Sequence, residues 1–213
     1  MRINIVHKLV VFCIALIAVR IYKTEHYSFL FLFWNLFLAY LPLLVAKQMK
    51  GNSSKLKNFI FLMFAILFLP NAPYILTDLF HLKKALIAPL WFDLILILSF
   101  AILGFIYFIM AFELILNEIK RTYSKKINLI AKPLLFMACG YGIYLGRYLR
   151  YNSWDIISSP IDLASGMINS VFNADYYKET LSVTLTFTIF LYLIFELYLS
   201  FKNKLQQPKN ELL

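Results

Sequence analysis

Six stretches of this chain are apolar for long enough to cross a lipid bilayer: residues 5–22, 28–46, 59–76, 90–116, 129–149 and 181–201. At 1.5 Å of rise per residue, about 20 residues of helix match a hydrocarbon core roughly 30 Å thick. Inside that core each backbone N–H and C=O needs a partner within the protein, so each run is expected to fold as a helix. The expected architecture is an all-α membrane protein, a bundle of about six transmembrane helices in a single domain over residues 1–213. Composition agrees: 62% of the residues are hydrophobic and 15% charged, against roughly 45–50% and about 25% in soluble domains. The first span has the shortest apolar core, and Lys8 and Arg20 flank it with long stems that carry their charges outward. A secretory signal has a similar outline, but no small-residue cleavage site follows, which favours a retained span.

Lysine and arginine set the expected orientation, because short cytoplasmic loops carry their excess. Lys47, Lys50, Lys55 and Lys57 crowd the connection between the second and third spans. Lys120, Arg121, Lys125 and Lys126 do the same between the fourth and fifth, and Lys202, Lys204 and Lys209 follow the sixth. The alternate connections are thinner in positive charge, so both termini are expected in the cytoplasm. The net charge of +10 then follows membrane topology. Membrane lipids are the expected partners, and no nucleic acid is.

The third span ends in FLPNAPYILTDLFHL, residues 68–82. Pro70 and Pro73 lack an amide hydrogen and crowd the preceding turn, so they are expected to break the helix and release the carbonyls of Ile66 and Leu69. Backbone of that kind at membrane depth belongs against protein or a wet cavity. Asn71, Tyr74, Asp78 and His81 recur at steps of three, four and three, which places them on one helical face. The plainer reading makes Tyr74 an interfacial anchor and leaves Asp78 and His81 as solvated loop residues.

Two other places fall on the same side of the predicted topology. The fifth span closes in CGYGIYLGRYLRYNSWD, residues 139–155. There Gly142 and Gly146 permit a close helix approach, and Arg147, Arg150, Tyr151 and Trp154 share an arc if the helix continues. The fourth span opens LWFDLILIL, with Asp93 set inside an apolar run. A carboxylate there needs a partner, and a structural ion pair with Arg147 or Arg150 is the plain alternative to a functional role. Between the fifth and sixth spans, Ser159 and Pro160 open an expected interfacial amphipathic helix near residues 160–172, with Ile161, Ala164, Ile168, Val171 and Phe172 at helical spacing.

The candidate catalytic residues are therefore Asp78 and His81. The candidate ligand-binding residues are Asn71, Tyr74, Asp93, Arg147, Arg150, Asn152, Trp154 and Asp155. Scattered aspartates with one histidine make a weak metal signal and no metal site is expected; the sequence names no cofactor and no oligomeric state. Cys13 and Cys139 lie within spans and read as packing residues. Glu113 and Glu196 are expected to meet Lys or Arg at the inner interface, and Asn35 to hydrogen-bond between helices.

FLPNAPYILTDLFHL together with YGIYLGRYLRYNSWD resembles the bacterial integral membrane family catalogued as domain of unknown function 1361. The resemblance extends from the second span to the last. It implies a multi-pass protein of the bacterial cytoplasmic (inner) membrane and draws attention to Pro70, Asn71, Pro73, Tyr74, Asp78, His81, Arg147, Arg150, Asn152, Trp154 and Asp155. It implies no reaction.

Three functions compete on the residues. Paired guanidinium forks suit phosphate or carboxylate, which favours binding of an anionic lipid headgroup or a lipid-linked envelope precursor in an outer-leaflet pocket. A membrane-embedded transferase or hydrolase acting on a lipid-linked phosphate would use His81 or Asp78 as base and the arginines to stabilise developing charge. A small-solute transporter would use the broken span as a discontinuous helix.

Overall fold

The computed structural model describes residues 3–49, 54–83 and 87–206; Lys50, Lys84 and Lys209 lie outside the described residues. Long helices account for all six apolar runs: α1 (Ile3–Thr24), α2 (Phe31–Met49), α3 (Lys55–Phe68), α5 (Leu90–Thr122), α6 (Lys125–Arg147) and α9 (Tyr177–Gln206). Two short helices, α4 (Asn71–Tyr74) and α7 (Asp155–Ser158), and the connector α8 (Pro160–Phe172) complete the described α-helices, and a 3₁₀ stretch covers Ile75–Lys83. Six helical segments, with the third running through the broken region, are long and apolar enough to cross a membrane. The chain is an all-α, multi-pass membrane protein.

α5 is the mast of the bundle. Its 33 residues make about 50 Å of helix, and α1, α2, α3, α4, α6 and the 3₁₀ stretch all pack on it. Leu96, Ile97, Phe100, Leu103, Phe108, Phe112 and Ile115 are fully buried, at the spacing that puts an apolar stripe on the packed faces. Phe112 stacks on Phe136 of α6 at 4.3 Å between centroids and meets Phe195 of α9 at 4.9 Å. These three rings fill the space where α5, α6 and α9 meet.

The basic end of the bundle is tied by ion pairs. Glu113 holds Lys202 and accepts from the Tyr198 hydroxyl at 2.9 Å, and Glu196 holds Lys132. Buried Glu118 bonds Arg121 at 2.7 Å and accepts from Asn58 at 3.2 Å. Glu113 and Glu196 thus meet lysines from facing helices.

The connector α8 occupies the expected range. The stripe Ile161, Ala164, Ile168, Val171 and Phe172 points away from the protein and is exposed, the orientation of a helix resting its apolar face in lipid. The opposite side is pinned to the bundle. Tyr141 Oη lies 2.9 Å from buried Ser170 Oγ, and Tyr151 Oη donates to the Asp162 carbonyl at 2.8 Å. Ser159 precedes Pro160 as expected, but its side chain makes no cap hydrogen bond.

Candidate functional site

The proline pair bends the chain without leaving the expected carbonyls open. Leu69 N–H donates to Ile66 O at 3.3 Å and Ala72 N–H to Leu69 O at 3.2 Å, three-residue turns that close the gap locally. Outside help goes to the neighbouring carbonyls instead. Asn71 Nδ2 donates to Phe68 O at 3.0 Å and to Ser153 Oγ at 2.9 Å, while Ser153 Oγ donates to Leu67 O at 3.4 Å. The loop after α6 thereby completes the end of α3.

Close approach of α6 makes this possible. A Cβ on Gly142 would lie 2.6 Å from the Pro70 ring, and one on Gly146 would lie 2.9 Å from the Tyr74 ring. The two glycines receive the broken third span, with the proline seated on one and the tyrosine on the other.

Beyond Tyr74 the winding tightens to 3₁₀, which brings residues three apart into line. Asp78 is buried, and both of its carboxylate oxygens are occupied. Oδ1 accepts from Arg147 Nη2 at 2.7 Å, and Oδ2 from Asn35 Nδ2 at 2.8 Å. Arg147 also donates to Thr77 Oγ1, from Nε at 2.8 Å and Nη2 at 2.5 Å, and its guanidinium lies 4.6 Å from the Tyr74 ring centroid. Three elements hold that arginine: the 3₁₀ stretch by charge and hydrogen bond, α4 by an aromatic face, and α6 by its own backbone.

His81 packs its ring against Phe31 at 5.1 Å. Its Nδ1 lies 3.3 Å from the Asp78 carbonyl and 3.9 Å from Asp78 Oδ1. Both neighbours are acceptors, so the neutral ring is assigned with its proton on Nδ1, and Nε2 carries the lone pair.

α6 ends at Arg147, close to the expected end of the fifth span at residue 149, so the arc that a continuing helix would give Arg150, Tyr151 and Trp154 does not form. Tyr151 N–H donates to Leu145 O at 3.0 Å, and Arg150 takes a left-handed backbone at φ 62°. That is a backbone conformation usually given to glycine. Arg150 is exposed and, among the described residues, makes no hydrogen bond or ion pair. With Tyr74, Asp78, His81, Arg147 and Asn152, it lines a polar cavity of about 480 Å³.

A second hollow of about 370 Å³ adjoins it, walled by Trp34, Pro70, Gly142, Trp154, Leu163 and Met167 among others. It is an apolar groove with α8 as one side. Asn35, Tyr74, Gly146 and Asn152 belong to both linings. Trp34 and Trp154 meet edge to face across the groove at 6.1 Å.

The structure divides the candidate residues accordingly. Tyr74, Asp78, His81, Arg147, Arg150 and Asn152 meet in the polar cavity, whereas Asn71 and Trp154 line the apolar groove. Asp93 joins neither. Its partner is Arg20 of α1, with Nε to Oδ1 at 2.7 Å and Nη2 to Oδ2 at 3.2 Å, and the guanidinium packs 4.3 Å from the Phe29 ring centroid. An ion pair was the plain expectation for Asp93, but with Arg147 or Arg150 as partner. Asp155 also lies off both linings: its carboxylate accepts from Asn152 N–H at 2.7 Å and Ser158 Oγ at 3.0 Å, holding the loop that carries Asn152. Among the described residues no group of three His, Cys, Asp or Glu side chains could hold a metal ion.

Sequence reasoning gave Asn35 a partner without naming it, and it missed Thr77 and Arg20. A lone amide and a lone arginine beside apolar runs are visible signals; which carboxylate each one meets is decided by packing.

No curated protein and no solved structure matches the chain. The family described as Protein of unknown function (DUF1361) matches residues 34–194, from α2 into α9 and over every cavity residue except Phe31, and the chain belongs to that family.

Proposed function

We propose that this membrane protein binds an amphiphile with an anionic headgroup, a lipid or a lipid-linked envelope precursor, at one end of its bundle. The observation that carries the reading is the shared wall. A polar cavity lined by two guanidinium groups runs directly into an apolar groove through Asn35, Tyr74, Gly146 and Asn152. A headgroup and its hydrocarbon chain need two such compartments side by side.

Arg147 is held in place by Asp78 and Thr77, so little ordering remains to be done when an anion arrives. Arg150 is the uncommitted charge, and its guanidinium fork suits phosphate or carboxylate oxygens. In this reading Asp78 orients the site, because both of its oxygens are already taken. Asn152 and Tyr74 sit where headgroup meets chain.

The charge pattern supports an outer-leaflet position in a bacterial cytoplasmic membrane, with both termini inside: Lys47, Lys57, Lys120, Lys125 and Lys202 gather toward the opposite end from the cavity. A solute path through the bundle is less well supported, since Phe112, Phe136 and Phe195 fill the junction of α5, α6 and α9.

The test is native mass spectrometry of the gently extracted protein. Wild type is expected to retain an anionic amphiphile, and Arg150→Ala to lose it while remaining folded. An empty wild-type protein, or equal retention by both, would overturn the reading.

A further inference from the structure

We infer that the polar cavity hydrolyses the headgroup it holds, with His81 as the base and a lipid-linked diphosphate as the substrate class; this rests on the binding reading above.

Among the described residues His81 is the only imidazole in the cavity lining. Its Nδ1 faces the Asp78 carbonyl at 3.3 Å and the Asp78 carboxylate at 3.9 Å. With the Nδ1 proton assigned to the Asp78 carbonyl, Nε2 carries the lone pair and can accept a proton, the arrangement of a base held by an orienting group. Asp78 is a positioning residue here. Arg147 and Asn35 occupy its oxygens and so anchor the turn that carries His81.

The lining also restricts the leaving group. Among the described residues it contains no second imidazole, and its one carboxylate is fully engaged, so Tyr74 alone remains to protonate an alcohol leaving from a phosphate monoester, at the cost of forming a phenolate. A phosphoanhydride has no such need, because its leaving group departs as a phosphate monoester anion. Two guanidinium groups, one secured and one uncommitted, suit two phosphates: they stabilise charge on the group that is attacked and on the group that leaves. The apolar groove would hold the chain, leaving the diphosphate beside His81.

The step balances with water as the only co-reactant. A water oxygen forms a bond to the terminal phosphorus while Nε2 takes one of its protons. The bond from that phosphorus to the bridging oxygen breaks, and the bridging oxygen stays with the lipid monophosphate. Inorganic phosphate departs, and the proton on Nε2 passes to solvent through the open cavity.

The experiment uses the purified full chain in detergent with geranylgeranyl diphosphate and geranylgeranyl monophosphate as probes. Released phosphate is measured in oxygen-labelled water, and probe retention is followed in the same samples by native mass spectrometry. Wild type is expected to release labelled phosphate from the diphosphate and none from the monophosphate. His81→Gln is expected to lower the rate roughly 10²- to 10⁴-fold while retaining the probe, and His81→Ala is expected to do the same. Retention without phosphate release, or release unchanged in both variants, overturns the catalytic inference and leaves the binding reading standing. Equal release from the monophosphate overturns the diphosphate assignment. A wild-type protein that retains neither probe and releases nothing takes down both readings.

Discussion

Two arginine–aspartate pairs are built from the same chemistry and do different work. Arg20 and Asp93 are sealed, with side chains 1% and 2% exposed. Arg147 and Asp78 have an equally buried carboxylate, but the arginine side chain is 14% exposed and borders the polar cavity. The first pair makes a charged residue near the membrane tolerable by matching it with another. The second uses its carboxylate to hold a guanidinium at the edge of water. Burial of the arginine separates the two, and the most direct tests change one pair and then the other.

The largest effect is expected from Asp93→Leu, which leaves Arg20 charged and unpaired. The cost is about 3–5 kcal/mol, read as a lowered midpoint of chemical unfolding in detergent. Arg20→Met combined with Asp93→Leu is expected to recover most of that loss, because an apolar pair of similar volume often replaces a buried ion pair without penalty. A double variant as unstable as the single would show that this pair does more than neutralise itself.

Arg147→Met comes next, at roughly 1–3 kcal/mol in the same unfolding assay, since water in the cavity can reach what remains of the Asp78 pair. It should also abolish retention of the amphiphile, which Asp93→Leu should not do in whatever fraction folds. Arg150→Ala is then expected to leave stability within about 0.5 kcal/mol while weakening binding roughly 10- to 100-fold. That range follows from about 1.5–3 kcal/mol for a charge-assisted hydrogen bond at about 1.4 kcal/mol per decade, and titration with an anionic amphiphile measures it. Arg150→Gly, which relieves the left-handed backbone, is expected to raise stability by about 1 kcal/mol in the unfolding assay while binding as weakly as Arg150→Ala.

The spans were legible because bilayer thickness sets their length, and the break at Pro70 and Pro73 because proline chemistry is local. Tyr74, Asp78 and His81 were legible as a group for the same reason: their spacing alone places them together. What was not legible depended on contacts between distant segments. Asp93 announced a need for a partner, yet Arg20 lies 73 positions away and competes in the sequence with Arg147 and Arg150. The end of the fifth span was legible to within two residues, but the left-handed backbone at Arg150 was not, because an arginine stands there where glycine is the usual signal.

The repair of the broken third span has a consequence for how the protein is made. Phe68 O finds its donor in Asn71 close by, but Leu67 O accepts from Ser153, 86 residues later. Synthesis runs from the amino terminus, so α3 emerges with that carbonyl unmatched and keeps it so until the fifth span and its following loop have been translated. The bend therefore matures late and out of chain order, and a nascent protein truncated before Ser153 should display an unfinished third span to the machinery that inspects membrane proteins during insertion.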